Sequence, residues 1–223
     1  MNPALRASAA HVFVESLDAP ELGPEDAHHL ARVLRLRDGE AVTASDGRGS
    51  WRECTLARGA LRPTGQAVRE PDRPALTIAA SVPKGERLEW MVQKLTEVGV
   101  SRIVLVDCAR SVVHWDGERA AKQMARLGRV VREAAMQSRQ VRLTELSGPV
   151  PYATVVAAGD VVIADPSGTG WRAAGTIVIG PEGGFAPEEL AAAPAPVSLG
   201  DTVLRVETAA LVAAVLGRHH RVV

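Results

Sequence analysis

The run Ile177-Val178-Ile179-Gly180-Pro181-Glu182-Gly183-Gly184-Phe185 carries a short apolar segment into a glycine-rich turn, and Ala186-Pro187-Glu188-Glu189-Leu190 then opens a helix. In open α/β sheets ligands sit at the carboxyl ends of strands, where such turns lie. Glycine lets backbone amides and carbonyls come close to a flat ligand. The spacing matches neither the dinucleotide fingerprint nor the phosphate loop. Pro181 also removes an amide that an anion nest would use, which disfavours a phosphate. A second turn repeats the pattern: Ser198-Leu199-Gly200-Asp201 ends another apolar run in glycine and leads through Thr202-Val203-Leu204 into Arg205-Val206-Glu207-Thr208-Ala209-Ala210. Arg205, Glu207 and Thr208 cluster there at a helix start, where polar residues serve either as a cap or as a site. A carboxylate such as Glu207 is favoured at that end by the helix dipole alone.

The elements that must hold these turns fall into two groups. Up to about Asp72 the chain has short β-like runs, His11–Val14, Ala41–Ala44, Trp51–Leu56 and Gly65–Val68. They are divided by the turn signals Asp38-Gly39, Asp46-Gly47 and Arg62-Pro63, the spacing of a small barrel. One helical insert, Pro24 to Leu36, opens with Pro-Glu-Asp as a first turn should. Glu70-Pro71-Asp72-Arg73-Pro74 reads as a linker, giving expected domains of 1–72 and 73–223. Beyond it strands and helices alternate. Strands are expected at Leu76–Val82, Ile103–Val106, Val161–Ala164, Thr176–Ile179 and Val197–Leu199. Helices are expected at Glu86–Val98 (closed by Gly99), Arg119–Ser138 and about Val206 to Leu216. This is an α/β pattern with a mainly parallel sheet.

Composition narrows the class without deciding it. The chain has 223 residues, 46% apolar and 23% charged, with aromatics at only 3%, so Val, Leu, Ile and Ala must build the core. Residues 1–16 lack a basic start followed by an apolar stretch, and the longest apolar run, Ala209 to Leu216, is far short of a membrane span of about 20 residues. Cys54 and Cys108 are far apart and read as reduced thiols of a cytoplasmic protein. The net charge of zero is unevenly spread: residues 84–142 hold 12 Lys/Arg against 7 Asp/Glu, while both flanks are acidic. Such a band suits a polyanion or simply a solvated helix face. The histidines give no metal spacing: His28-His29 and His219-His220 are adjacent pairs, which diverge on a helix, and His11 and His114 are isolated, so no metal is expected. Trp90 and Trp115 are expected to pack.

Taken together, GPEGGF and LGDTVLRVETAAL resemble the paired cofactor loops of SPOUT-class methyltransferases, in particular the 16S rRNA (uracil-N3)-methyltransferase family. The resemblance extends through Lys84-Gly85-Glu86-Arg87-Leu88-Glu89-Trp90, Gln93 to Val100, Arg110-Ser111-Val112-Val113, and Arg132-Glu133-Ala134-Ala135 with Gln137-Ser138. In the first unit His28-His29-Leu30, Arg32-Val33-Leu34-Arg35 and Gly39 are similar to the family's PUA-like RNA-binding β-barrel. The chain departs from it at Met136-Gln137-Ser138-Arg139-Gln140, where the family has Glu-Gln-Ser-Gly-Arg. Asp165-Pro166-Ser167-Gly168 stands where the family has a short polar loop.

The resemblance implies a C-terminal SPOUT domain threaded into a trefoil knot, an exception to the usual absence of knots, and a cytoplasmic homodimer. S-adenosyl-L-methionine would be held by Ile179, Gly180, Pro181, Glu182, Gly183, Gly184, Leu199, Gly200, Leu204, Arg205, Glu207, Thr208 and Ala209. Its expected partner is 16S rRNA, as the assembled small subunit. Uracil N3 carries a proton at neutral pH, so the site must remove it or stabilise the charge that spreads to O2 and O4. Arg205 and Arg139 are candidates for the stabilising role, with Arg110 a third; Glu182 and Glu207 could take the proton or offset the sulfonium. Lys84, Lys94, Lys122, Arg126, Arg129, Arg132, Arg110, Arg32 and Arg35 are candidates for phosphate contacts, which position without specifying. Three alternatives stand beside this reading: a non-catalytic RNA-binding assembly factor, a SPOUT enzyme acting on a ribose 2′-O or guanine N1, and a nucleotide-binding oxidoreductase, against which the lack of GxGxxG argues.

Overall fold

A computed structural model describes residues 2–194 and 196–219, so His220 of the second histidine pair lies outside the described residues. The chain divides into two compact units, Met1–Arg73 with Arg132–Leu143, and Pro74–Val131 with Thr144–Val223.

In the first unit the strands β1 (Ala10–Phe13), β2 (Ala41–Ser45), β3 (Ser50–Ala57) and β4 (Ala60–Pro63) pair in that order, and β5 (Val68–Arg69) pairs with β3. All pairs are antiparallel except β1 with β2. Two short helices, α1 (Pro3–Ala7) and α2 (Pro24–His28), complete it. The turn expected at Arg62-Pro63 is instead the end of β4. The chain reverses earlier, at Arg58-Gly59, where both residues have positive φ (52° and 75°) and form a two-residue hairpin. The helix expected to reach Leu36 ends early: α2 passes into a π-helical turn, His29–Val33, and Arg35 stands at φ 54°.

Segment 132–143, expected in the second domain, clusters with the first unit because its polar atoms are satisfied there. His11 Nε2 lies 2.9 Å from the Gln140 carbonyl, Ser45 Oγ donates to the Val141 carbonyl at 3.0 Å, and Arg142 donates to the Glu70 carbonyl and the Asp72 carboxylate. The expected linker is therefore tied down: Trp51 Nε1 donates to Glu70 Oε1 at 3.0 Å.

The second unit holds a five-stranded parallel sheet in the order β8-β7-β6-β10-β9. Its strands are β6 (Thr77–Ser81), β7 (Arg102–Asp107), β8 (Glu145–Pro151), β9 (Val161–Thr169) and β10 (Thr176–Ile179). The period-2 alternation of a strand feeds two cores. Ile78, Ala80, Val162, Ile177 and Ile179 face a core shared with α3 (Arg87–Val98) and α7 (Val206–His219); Ala79, Val161, Ile163 and Val178 face another holding Tyr152 and Phe185. Helix α3 ends on Gly99 at φ 85°, a left-handed cap. Helix α4 (Gly117–Gln137) places Leu127 and Val131 in the first core, and α5 (Tyr152–Val156) and α6 (Pro187–Ala191) are short. Trp115 packs on that core as expected, whereas Trp90 is 41% exposed.

The run Val197–Leu199 forms only isolated bridges, Val197 with Ala164 and with Thr169. It runs against β9, which continues through Asp165-Pro166-Ser167-Gly168 where a polar loop is expected. Gly168 makes this approach possible, since a Cβ there would stand 2.4 Å from the Val197 carbonyl carbon.

Candidate functional site

Strand β10 is fully buried over Ile177–Ile179 and stops at Gly180. Pro181 then begins a tight turn closed by a hydrogen bond from Gly184 N to the Pro181 carbonyl at 2.9 Å. Gly184 has φ 69°, a conformation that glycine takes without strain, and a Cβ on Gly180 would meet the Phe185 ring at 3.0 Å. Opposite stands the second turn, where Ser198 Oγ and Gly200 exchange hydrogen bonds with each other. After it the Arg205 carbonyl accepts from Ala209 N at 2.8 Å and closes the first turn of α7.

Between the two turns lies a cavity of about 340 Å³, a size ordinary for a small-molecule site. Its walls include Ile179, Gly180, Pro181, Glu182 and Gly184 from one turn, and Leu199, Gly200, Leu204, Arg205 and Ala209 from the other. Ala164, Asp165 and Pro166 of β9 form a third wall. The charged side chains on the lining are two carboxylates, Asp165 and Glu182, and one guanidinium, Arg205.

Glu207, next in the chain after the lining residue Val206, is 8% exposed. Its Oε1 is 3.7 Å from Arg87 Nε, while Oε2 is buried with no hydrogen-bond partner among the described residues. A buried carboxylate oxygen without a donor is costly in a folded protein, and its place at the start of α7 offsets part of that cost.

A family model for an RNA methyltransferase domain matches residues 70–217, and one for an RNA methyltransferase PUA domain matches residues 22–59. The ribosomal RNA small subunit methyltransferase E of Mycobacterium bovis is 37% identical over 216 residues, covering 85% of this chain and 82% of that one. The chain belongs to the ribosomal RNA small subunit methyltransferase E family. Solved structures agree with the family. A probable rRNA-methyltransferase from Porphyromonas gingivalis is 30% identical with a TM-score of 0.79, covering 96% of this chain and 98% of its own. A Legionella pneumophila protein classed as a methyltransferase, solved in complex with bound cofactor SAM, is 27% identical with a TM-score of 0.82, covering 94% and 97%.

Within this member of the methyltransferase E family, the two glycine turns meet at one cavity, but three of the residues assigned to them do not line it. Gly183 faces Arg110, whose Nη1 donates to the Gly183 carbonyl at 3.1 Å, and Glu207 and Thr208 are not among the lining residues. The lining residues that sequence reasoning missed are Ala164, Asp165, Pro166, Phe185, Ser198, Thr202, Val203 and Val206. Phe185, Thr202, Val203 and Val206 lie inside the two motifs and Ser198 adjoins one, so assigning each motif whole with a flanking residue would have found them. The β9 wall gave no local signal, because it reaches the cavity through the long-range approach of Val197.

The basic candidates separate by what holds them. Arg139 belongs to the first unit, at φ 58°, and its guanidinium donates to the carbonyls of Ser8, Ala9 and Met136, so it does not line the cavity. Arg132 donates to Asp26 Oδ2 at 2.6 Å and to the Phe13 carbonyl at 2.9 Å. Lys94 pairs with Glu97 at 2.7 Å and Arg126 with Glu89 at 2.6 Å. Arg32, Arg35, Lys84, Arg110, Lys122 and Arg129 are exposed. Among the described residues no His/Cys/Asp/Glu group has a metal-binding arrangement, and no helix is long and apolar enough to cross a membrane. Burial raises the Cys108 thiol to about 11, so it stays protonated and unreactive at neutral pH.

Proposed function

We propose that this chain methylates N3 of a uridine in 16S rRNA, using S-adenosyl-L-methionine bound between the two glycine turns, with the assembled small subunit as substrate. The observation that carries the reading is the cavity itself. Its walls are backbone-rich and apolar, and its charged side chains carry a net negative balance, as a cationic sulfonium or ammonium ligand requires. Pro181 and the scarcity of basic groups on the lining fit a phosphate poorly. S-adenosyl-L-methionine supplies an electrophilic methyl group on a sulfonium sulfur, needing a nucleophile in line.

The chain's own residues would then do three things. Gly180, Gly184, Leu199 and Gly200 offer backbone groups to a flat adenine. Arg205, on the lining and exposed, stabilises the negative charge that appears on the base as its N3 proton leaves. Glu182 on the lining, or Glu207 through its buried Oε2, accepts that proton or faces the ligand's cationic end. Exposed Arg32, Arg35, Lys84, Arg110, Lys122 and Arg129 meet phosphates, whereas Arg132 and Arg139 are assigned to holding the first unit together. The knotted threading, the homodimer and the cytoplasmic location implied by the family resemblance form part of the same reading, and light scattering of the purified chain tests the dimer.

The deciding experiment is transfer of labelled methyl from S-adenosyl-L-methionine to 30S subunits from a strain without this activity, followed by nucleoside analysis. A 3-methyluridine product is expected. A different methylated nucleoside would overturn the uracil assignment; no transfer and no cofactor binding would overturn the enzymatic reading.

A further inference from the structure

Glu189 has a geometry that capping its own helix does not account for. Its Oε2 accepts from Ala186 N at 2.8 Å, the bond of an N3 carboxylate to the N-cap amide at the start of α6. Its Oε1 accepts from Ala109 N at 2.8 Å, reaching a loop that is 80 residues away in sequence. One carboxylate thus ties two loops together. Ala186 follows the glycine turn whose members Gly180, Pro181, Glu182, Gly184 and Phe185 wall the cavity. Ala109 sits in the loop that comes after β7 and carries Arg110.

Other contacts make this junction stiff. The Cys108–Ser111 loop is closed on itself by Cys108 N to Ser111 Oγ and Ser111 N to the Cys108 carbonyl, both 2.9 Å. Arg110 Nη1 reaches the Gly183 carbonyl at 3.1 Å, and a Cβ on Gly183 would touch the Arg110 Cβ at 3.4 Å. The Tyr152 hydroxyl donates to the Glu189 carbonyl at 2.8 Å, while its ring packs on Phe185 with centroids 5.5 Å apart. Burial, with the Glu189 charge nearby, pushes that phenol up to about 12, so the donor is kept at working pH.

We propose that Glu189 is a positioning residue for the cofactor: by holding Ala109 and Ala186 on its two oxygens, it fixes the glycine turn at the spacing the ligand needs and sets Arg110 beside it. This rests on the reading that the cavity binds S-adenosyl-L-methionine. Glu189 does not line the cavity and acts only through the two loops.

The test measures S-adenosyl-L-methionine affinity by calorimetry, and KM for S-adenosyl-L-methionine against kcat on 30S subunits. It compares wild type, Glu189→Ala, Glu189→Gln and Glu188→Ala at a temperature where circular dichroism shows each variant folded. Glu188 is exposed on the same helix and serves as the control. In Glu189→Gln one carboxylate oxygen becomes a donor facing a backbone N–H, so one of the two ties is lost. The expected order is a Kd rise of at least fivefold for Glu189→Ala, a smaller rise for Glu189→Gln and none for Glu188→Ala. KM for S-adenosyl-L-methionine should rise in parallel, by a larger factor than kcat falls. Folded Glu189→Ala or Glu189→Gln with wild-type Kd and KM, even at a lower melting temperature, would reduce Glu189 to a helix cap and overturn the proposal. A wild-type chain that binds no S-adenosyl-L-methionine would instead remove the functional reading, and this inference with it.

Discussion

Gly168→Ala is a small change that the structure predicts to be severe. Gly168 is not among the positive-φ residues, so its backbone conformation is open to alanine and the whole cost is one of space. The added Cβ would lie 2.4 Å from the Val197 carbonyl carbon, 2.8 Å from that of Pro196 and 2.8 Å from Ser198 N. Non-bonded carbons settle near 3.5–4.0 Å, so the two segments must part by about 1 Å. All three obstacles are backbone, which has no rotamer to escape into. Parting them would lengthen the Ser198 N to Thr169 carbonyl bond from 2.6 Å, and the Thr169 N to Pro196 carbonyl bond from 3.3 Å, to or beyond the limit of hydrogen bonding. Overpacking costs about 1–3 kcal/mol and each lost bond about 0.5–1.5 kcal/mol, giving roughly 4 kcal/mol. In a chain of this size that lowers Tm by roughly 8–16 °C. Because Ser198 opens the second cavity turn, S-adenosyl-L-methionine affinity measured well below Tm should also fall at least tenfold. Thermal melts and calorimetry check both, with Gly170→Ala as control, since a Cβ there meets nothing within 4 Å. A Gly168→Ala melt within about 1 °C of wild type, with unchanged affinity, would refute the argument that close approach of these strands builds the site.

Other perturbations have equally definite expectations. His11 is 1% exposed and burial lowers its pKa from 6.5 to about 4, the Gln140 carbonyl raising it only in part. The folded state therefore binds fewer protons between those values, so stability is full above pH 6.5 and falls as pH drops towards 4. Urea melts at pH 7 and 4.5 should differ by about 2–3 kcal/mol more in wild type than in His11→Gln, and an equal pH dependence would contradict this. Arg205→Ala should lower kcat by about 10²–10³-fold while S-adenosyl-L-methionine binding weakens far less, and single-turnover kinetics with 30S subunits read the split. Arg132→Met strands Asp26, 8% exposed, and should destabilise by about 2–3 kcal/mol in urea without changing methyl transfer measured on folded protein; a catalytic defect at full stability would return Arg132 to the RNA contacts.

The cavity turns are legible in the sequence because their signals are local: an apolar run, a glycine and a helix start within a dozen residues specify a strand end and the turn beyond it. The sheet order is not legible, and neither are elements whose punctuation misleads. Strand β8 holds Gly148-Pro149, which reads as a break, yet it forms the sheet edge, where a missing N–H is tolerated. Gly148 fits there because a Cβ would fall 2.3 Å from the Leu105 carbonyl oxygen. The hairpin at Arg58-Gly59 is masked by the stronger turn signal of Arg62-Pro63, since an arginine at positive φ leaves no compositional trace.

The basic series on α4 shows the deeper limit. Spacing places Arg126, Arg129 and Arg132 on one helix, and charge counting treats them alike. In the structure Arg129 is exposed, Arg126 is paired with Glu89, and Arg132 meets a carboxylate 106 residues away. A guanidinium that neutralises a buried Asp26 is not available to a phosphate without stranding that charge. The partner it already has is invisible to any local pattern. The same reasoning separates Arg139, spent on three carbonyls, from Arg205, exposed on the cavity lining. On the proposed function, Arg205 is the one of these two arginines placed for charge that develops on a substrate.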